Sequence, residues 1–164
     1  MALFPERIDG KIVVIFTFHC DEPPSKIVIA KMDAIEDLWS QDFWNEWYKN
    51  VDSHVIPLIR DFGDHTEVGA PPIKTDKGWV LIHSYIKNYL SKEKEFAIEA
   101  ILLDKNDPTK ILGRTSEPLL TSKEDYELNG HIPNVIFPSG ALCQDDNLYI
   151  YYGGADTHCC VAKR

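Results

Sequence analysis

A unit of strand, tight turn, apolar or aromatic strand and further strand occurs three times in this chain, and that repetition restricts the fold more than any other feature. The units open at Phe4-Pro5, Pro71-Pro72 and Phe137-Pro138, recurring about every 66 residues, a period that marks a repeat architecture. The pattern is plainest from Pro133 to Ala162, where a strand leads to a tight turn at Asp145 to Asn147. An aromatic strand Leu148 to Tyr152, a break at Gly153-Gly154 and a last strand after Asp156 follow. In the first unit, Asp9-Gly10 is a hairpin turn ahead of a β-branched and aromatic strand Ile12 to Phe18. A Pro23-Pro24 turn and a strand Lys26 to Lys31 complete it. In the second, an Asp76-Lys77-Gly78 turn precedes strands Trp79 to Tyr85, Phe96 to Asp104 and Lys110 to Arg114. The turn between the last two is Asn106-Asp107-Pro108, with Asp104 and Asp107 as turn formers rather than acids, and a polar loop runs from Thr121 to Gly130.

Sheets repeated without alternating helices predict an all-β, partial β-propeller, each unit being one blade of about four strands. The blade-like units are 1–66, 67–130 and 131–164, the last incomplete. Three blades are fewer than the roughly 4–8 that close a ring, and an open propeller leaves sheet edges unpaired. The chain is therefore expected to be part of a larger ring, completed by a missing N-terminal half or by self-association.

One segment, about 33–65, departs from the repeat. Trp39, Phe43, Trp44, Trp47 and Tyr48 recur at three and four residues, which lines them along one helical face. Two readings stand: an amphipathic insertion packed on the sheet, or tryptophans lining a sugar site through stacking of ring faces on pyranose C–H groups.

Charge and hydropathy exclude some partners. The formal net charge of −9 repels phosphate backbones and anionic lipid surfaces, so neither nucleic acid nor membrane is expected as a partner. No apolar run approaches the roughly 20 residues of a membrane span, and Met1 to Arg7 has no signal-peptide pattern, so a cytoplasmic location is expected. Cys20, Cys143, Cys159 and Cys160 lack zinc-ribbon spacing, and the adjacent pair points to opposite faces of a strand. They are expected to be buried or half-buried small residues, with no metal and no cofactor.

Five stretches carry a family resemblance. L-F-P-E-R-I-D-G-K, G-A-P-P-I-K-T-D-K-G-W-V-L-I, L-L-D-K-N-D-P-T-K-I-L-G-R-T, P-N-V-I-F-P-S-G-A and Y-I-Y-Y-G-G-A-D-T occur in the same order as in glycoside hydrolase family 130. That family holds β-mannoside phosphorylases and related β-mannosidases on a five-bladed propeller, so the resemblance implies an oligosaccharide substrate. It covers nearly the whole chain apart from the Trp-rich segment.

The resemblance also suggests site residues. The family's catalytic Asp lies N-terminal to the L-F-P-E-R-I motif, so no counterpart is expected within this chain. Asp156 matches the Asp of the Y-Y-G-A-A-D-T motif in the sugar pocket, or else caps the loop after the glycine pair. His83, near the place of the family's Tyr-His-Gly, is a sugar ligand or a satisfied structural histidine. His131 and Asn134 flank the N-V-I-F strand entry, and Asn134 offers a donor and an acceptor to sugar hydroxyls or simply forms a turn. Tyr152 contributes a ring or hydroxyl, or packs within its strand.

Phosphorolysis needs cations to hold the phosphate dianion. The family's phosphorylases place a Lys and an Arg where this chain carries Glu67 and roughly Thr17. Glu67 in place of a cation repels phosphate but can activate water as a general base, which is the hydrolase-like reading; alternatively it forms a loop ion pair with Lys74. Inorganic phosphate enters as co-substrate only if the protein is a phosphorylase. The competing function class is a catalytically incompetent propeller segment serving sugar binding or protein association.

Overall fold

In a computed structural model, residues 1–20 and 24–164 are described, so Pro23 and the turn assigned to it lie outside the described residues. Strands β1 (Ala2–Leu3), β2 (Ile12–Phe18), β3 (Lys26–Met32) and β4 (Val55–Ile56) form the first antiparallel sheet in the order β1-β2-β3-β4. The second sheet contains β5 (His65–Val68), β6 (Ile73–Thr75), β7 (Gly78–Lys87), β8 (Glu95–Leu103), β9 (Ile111–Arg114) and β10 (Leu120–Thr121). Its main path is β10-β8-β7-β5, with β6 added to β7 and β9 to β8. The third sheet is β11 (Ile136–Gln144), β12 (Asn147–Gly154) and β13 (His158–Lys163) in chain order.

Turn chemistry fixes the hairpins. Asp145 and Asp146 both hold positive φ (50° and 60°), the primed geometry whose twist matches the flanking strands, and Gln144 faces Asn147 across them. Asp9 and Gly10 do the same between Ile8 and Lys11, although the strand before them reduces to one bridge and β1. Gly78 follows the Asp76-Lys77 turn at φ 149°, where a Cβ would lie 2.1 Å from the Leu103 carbonyl oxygen, so only glycine lets β7 approach β8 there.

The expected break at Gly153-Gly154 does not occur. Both glycines pair with Phe137 and Ile136 on one side and with Cys159 and His158 on the other, so β12 runs through them. The reversal comes one step later, at Ala155 and Asp156, which hold φ 46° and 54°. Strand β7 likewise continues beyond Tyr85 to Lys87, because Glu95 and Phe96 remain to pair with it.

Alternation along the strands sorts side chains into layers. Val13, Ile15, Ile27 and Ile29 of the first sheet meet Trp79, Leu81, Ile101 and Leu103 of the second, with the Phe4 ring edge-on to Trp79. The opposite face of the second sheet, with Ile82 and Ile98, packs on Ile136, Ile150 and Tyr152 of the third. The second sheet is thus covered on both faces, as its long apolar strands require.

The Trp-rich segment folds as a 3-10 turn (Ile35–Trp39), a helix α1 (Gln41–Lys49) and a second 3-10 turn (Val51–His54). Ser40 caps α1 by accepting from the Phe43 N–H. The helix lies on the outer face of the first sheet. Trp47 is buried, Phe43 and Trp44 are half-buried, and they pack with Val14, Phe16, Val28, Ala30 and Met32. The aromatic stripe is split, however: Trp39 is 82% exposed and Tyr48 57%, both on the water side. The cysteines also depart from expectation. Cys160 alone is half-buried, and Cys20, Cys143 and Cys159 are exposed. In the third sheet this follows from position: Cys159 falls on the face opposite to the core and Cys143 on the second-last pair before the turn.

Candidate functional site

Two residues on β5 build the centre of the site. His65 and Glu67 are two apart on a strand and share one face. The His65 ring is fully buried and stacked on Tyr89, with centroids 3.9 Å apart. Its Nδ1 accepts from the Ser25 backbone N–H at 3.3 Å, which puts the ring proton on Nε2, and Nε2 lies 3.0 Å from a Glu67 carboxylate oxygen. A neutral imidazole therefore donates to Glu67 and holds the carboxylate in place. The ion pair expected between Glu67 and Lys74 does not form, since Lys74 pairs with Glu6.

Glu67 opens onto a cavity of about 340 Å³ that Tyr89, Lys92, Lys94 and Asn134 also line. The two lysines come from the connection between β7 and β8. Asn134 arrives from the loop before β11, held at φ 63°. Its backbone N–H bonds to the Glu127 carbonyl at 3.1 Å, and its own carbonyl accepts from the Ser122 hydroxyl at 3.0 Å. Glu127 belongs to a single-turn helix α2 (Asp125–Leu128), so the polar loop expected over Thr121 to Gly130 carries structure that positions Asn134.

The remaining expected residues fall into two groups. Asp156 and His131 lie next to one another in the fold, because the Asp156 turn is tied to the loop that carries Asn134. The His131 backbone N–H bonds to the Thr157 hydroxyl at 2.9 Å and the Ile132 N–H to the Ala155 carbonyl at 3.1 Å. Both side chains are exposed, and neither lines the Glu67 cavity. Tyr152 points inward instead. Its hydroxyl donates to Glu127 at 2.7 Å, and burial together with that carboxylate pushes its pKa up.

His83 is 1% exposed between the first and second sheets, with Nδ1 3.2 Å from the Thr66 hydroxyl and Nε2 without a partner among the described residues. Burial lowers its pKa to about 4, so the ring is neutral at physiological pH. Nearby, Arg60 grips both oxygens of Glu99 and covers the Tyr85 ring at 3.9 Å, and the Tyr85 hydroxyl donates to Asp64 at 2.6 Å. Among the described residues no three His, Cys, Asp or Glu side chains converge as metal ligands. None of the described helices is long and apolar enough to cross a membrane.

Sequence reading missed His65, Tyr89, Lys92 and Lys94. The His-x-Glu spacing in a strand was the one available signal. The lysines looked like an ordinary charged turn, and only the packing of two hairpin loops puts them beside Glu67.

The whole chain, residues 1–164, matches the glycoside hydrolase family 130 profile described as beta-1,4-mannooligosaccharide phosphorylase. The chain belongs to this family. It is 35% identical over 161 residues to a 1,2-beta-oligomannan phosphorylase of Thermoanaerobacter sp. (strain X514), covering 95% of this chain and 47% of that protein. A beta-1,2-mannobiose phosphorylase of Listeria innocua is 32% identical over 96% of this chain and 41% of its own length. The solved structure of the Listeria innocua beta-1,2-mannobiose phosphorylase in complex with beta-1,2-mannobiose superposes with a TM-score of 0.77 at 31% identity. That match covers 99% of this chain and 43% of the other. The chain thus spans less than half the length of these family 130 relatives. The fold is the expected one: an all-β partial propeller, whose three antiparallel sheets are blades.

Proposed function

We propose that this chain forms the sugar-holding part of a carbohydrate-active enzyme that cleaves β-mannosides or related β-glycosides, with Glu67 as the general base. The observation that supports it is the buried, neutral His65 donating to Glu67 at the wall of a cavity shared with Asn134. A carboxylate held by one hydrogen bond keeps free lone pairs for a water molecule. In the hydrolytic reaction Glu67 takes a proton from that water as it attacks the anomeric carbon. The glycosidic oxygen leaves with a proton supplied from the opposite face. In the family that acid lies N-terminal to the first motif matched here, so on this reading it comes from other blades, in a missing N-terminal half or a second copy. Asn134, His131 and Asp156 bind sugar hydroxyls along the adjoining loop and turn. His83 and Tyr152 act through the framework, His83 behind β5 and Tyr152 by fixing Glu127. The enzyme works in the cytoplasm and needs no cofactor.

Phosphorolysis is the second reading, and two observations favour it. The relatives described above are phosphorylases by name, and Lys92 and Lys94 line the Glu67 cavity, where cations can hold a phosphate. Turnover of β-mannobiose with and without inorganic phosphate separates the two. Hydrolysis requires a rate independent of phosphate and abolished in Glu67→Gln. A rate that vanishes without phosphate and falls in Lys92→Ala and Lys94→Ala transfers the assignment to phosphorolysis. Sugar binding with no turnover under either condition leaves a binding segment without catalysis.

A further inference from the structure

One cavity of the fold is larger than the one at Glu67. It measures about 470 Å³ and lies where α1 meets the first sheet and the turn between β8 and β9; Lys31, Phe43, Trp47, Asn50, Asp107 and Thr109 are among its walls. The volume falls within the range of roughly 300–1,000 Å³ typical of small-molecule pockets. It is remote from the Glu67 cavity. Lys94 stands just before β8 and Asp107 after it, so the two cavities lie toward opposite ends of that strand and share no lining residue.

The chemistry of its walls narrows the ligand. Lys31 Nζ lies 3.9 Å from an Asp107 oxygen, and Glu46, which also lines the cleft, pairs with Lys49 at 2.7 Å, which leaves little net field to attract an ion. Asp107 stays an ionised acceptor: a hydrogen bond from Thr109 and the neighbouring Lys110 and Lys31 hold its carboxyl below the usual carboxylate range. The Asn50 side chain, exposed just past the end of α1, is uncommitted among the described residues and offers both a donor and an acceptor. Phe43 adds a half-buried ring, and Trp47, locked by its indole N–H donating to the Ile29 carbonyl at 3.0 Å, stacks on the His54 ring, which also lines the cleft. Rigid aromatic rings beside a carboxylate, an amide and an ammonium suit a neutral polyhydroxylated ligand, whose C–H faces contact rings while paired hydroxyls take donors and acceptors together.

We propose that this cleft is a second carbohydrate-binding site, separate from the Glu67 cavity, which takes a neutral oligosaccharide. The choice of a mannoside as its ligand rests on the reading of the protein as a β-mannoside enzyme; the cleft itself does not. Such a site anchors one part of a glycan while another part is presented to the catalytic region, so the Trp-rich segment is both a sheet cover and a docking element.

The test is a titration of the full chain with β-mannobiose, followed through tryptophan indole resonances in ¹H–¹⁵N correlation spectra. The Trp47 indole resonance is expected to shift in a saturable manner. The shift persists in the Glu67→Gln, Asn134→Ala double variant and weakens at least about fivefold in Asn50→Ala, the loss of one ligand hydrogen bond. Phe43→Leu keeps apolar volume under the helix but removes the ring, and weakens binding again. Far-UV circular dichroism checks that each variant is folded. A Trp47 resonance that does not move, or that moves equally in Asn50→Ala and Phe43→Leu, overturns the proposal. Binding at Trp47 without turnover counts against the enzymatic reading alone, and turnover with an unmoved Trp47 counts against the cleft alone.

Discussion

The two cavities at opposite ends of β8 are comparable in size, yet they are built in different ways. At the Glu67 end, the functional groups come from a strand and two loops, and fixed partners hold them: buried His65 beneath Glu67, and buried Glu127 with half-buried Ser122 around the Asn134 backbone. At the Trp47 end, one short helix brings its own aromatic residues, and its packing on the first sheet creates the cleft. The first design orients individual atoms, as proton transfer requires. The second offers a surface, which suffices for recognition. The difference teaches that damage to one end is local chemistry, whereas damage to the other is packing.

The sharpest way to break the contrast is at Glu67. Removing a general base costs roughly 10²–10⁴ in rate, so Glu67→Gln is expected to lower kcat on β-mannobiose by that factor without changing the thermal midpoint by more than a degree or two. An unchanged kcat strips Glu67 of its role. Trp47→Ala is the counterpart at the other end: loss of a buried indole costs about 3–5 kcal/mol of stability. Urea unfolding should show that loss, with kcat retained wherever the variant stays folded.

Between the sheets, His83 tests the framework common to both ends. Its folded-state pKa is about 4, below the unfolded value near 6.5. The unfolded chain therefore takes up a proton first as pH falls. Stability from the neutral ring is complete above about pH 6.5 and declines between 6.5 and 4, by about 3 kcal/mol in all. Urea midpoints at pH 7 and pH 5 should differ more in the native chain than in His83→Asn, and equal slopes would exclude this account.

Smaller effects are expected on the loop proposed to face the glycan. Asp156→Ala removes an exposed carboxylate and should weaken glycan binding by about 1–2 kcal/mol with no loss of fold; unchanged calorimetric binding removes Asp156 from the site. Asn134→Gly suits the positive φ and should leave stability within about 1 kcal/mol, while the lost amide weakens sugar binding. Loss of stability with intact binding would make Asn134 a turn residue only.

Much of this architecture was legible in the residues. β-branched and aromatic runs between Asp-Gly, Asp-Lys-Gly and Asp-Asp-Asn turns placed β2, β7, β8 and β12, because turn residues and strand alternation act over a few neighbours. The break assigned to Gly153-Gly154 was misplaced for a complementary reason. Glycine permits a turn but does not force one, and partners on both sides kept β12 extended to Gly154. Ala155 and Asp156 took the left-handed conformation instead.

The sequence by itself determined a repeated all-β chain of family 130 type, the turns that end its strands, and Glu67 and Asn134 as residues of interest. Each follows from local stereochemistry or from the order of short motifs. Tertiary structure alone decided that Glu67 and Asn134 share a cavity, that His65 holds the carboxylate, and that Lys92 and Lys94 stand beside it. It also divided the tryptophans, placing Trp47 under the helix and Trp39 in water. These outcomes depend on loops meeting across sheets and on which face of a helix finds an apolar partner. Periodicity records that a face exists, but the surface opposite to it is supplied by residues far away in the chain.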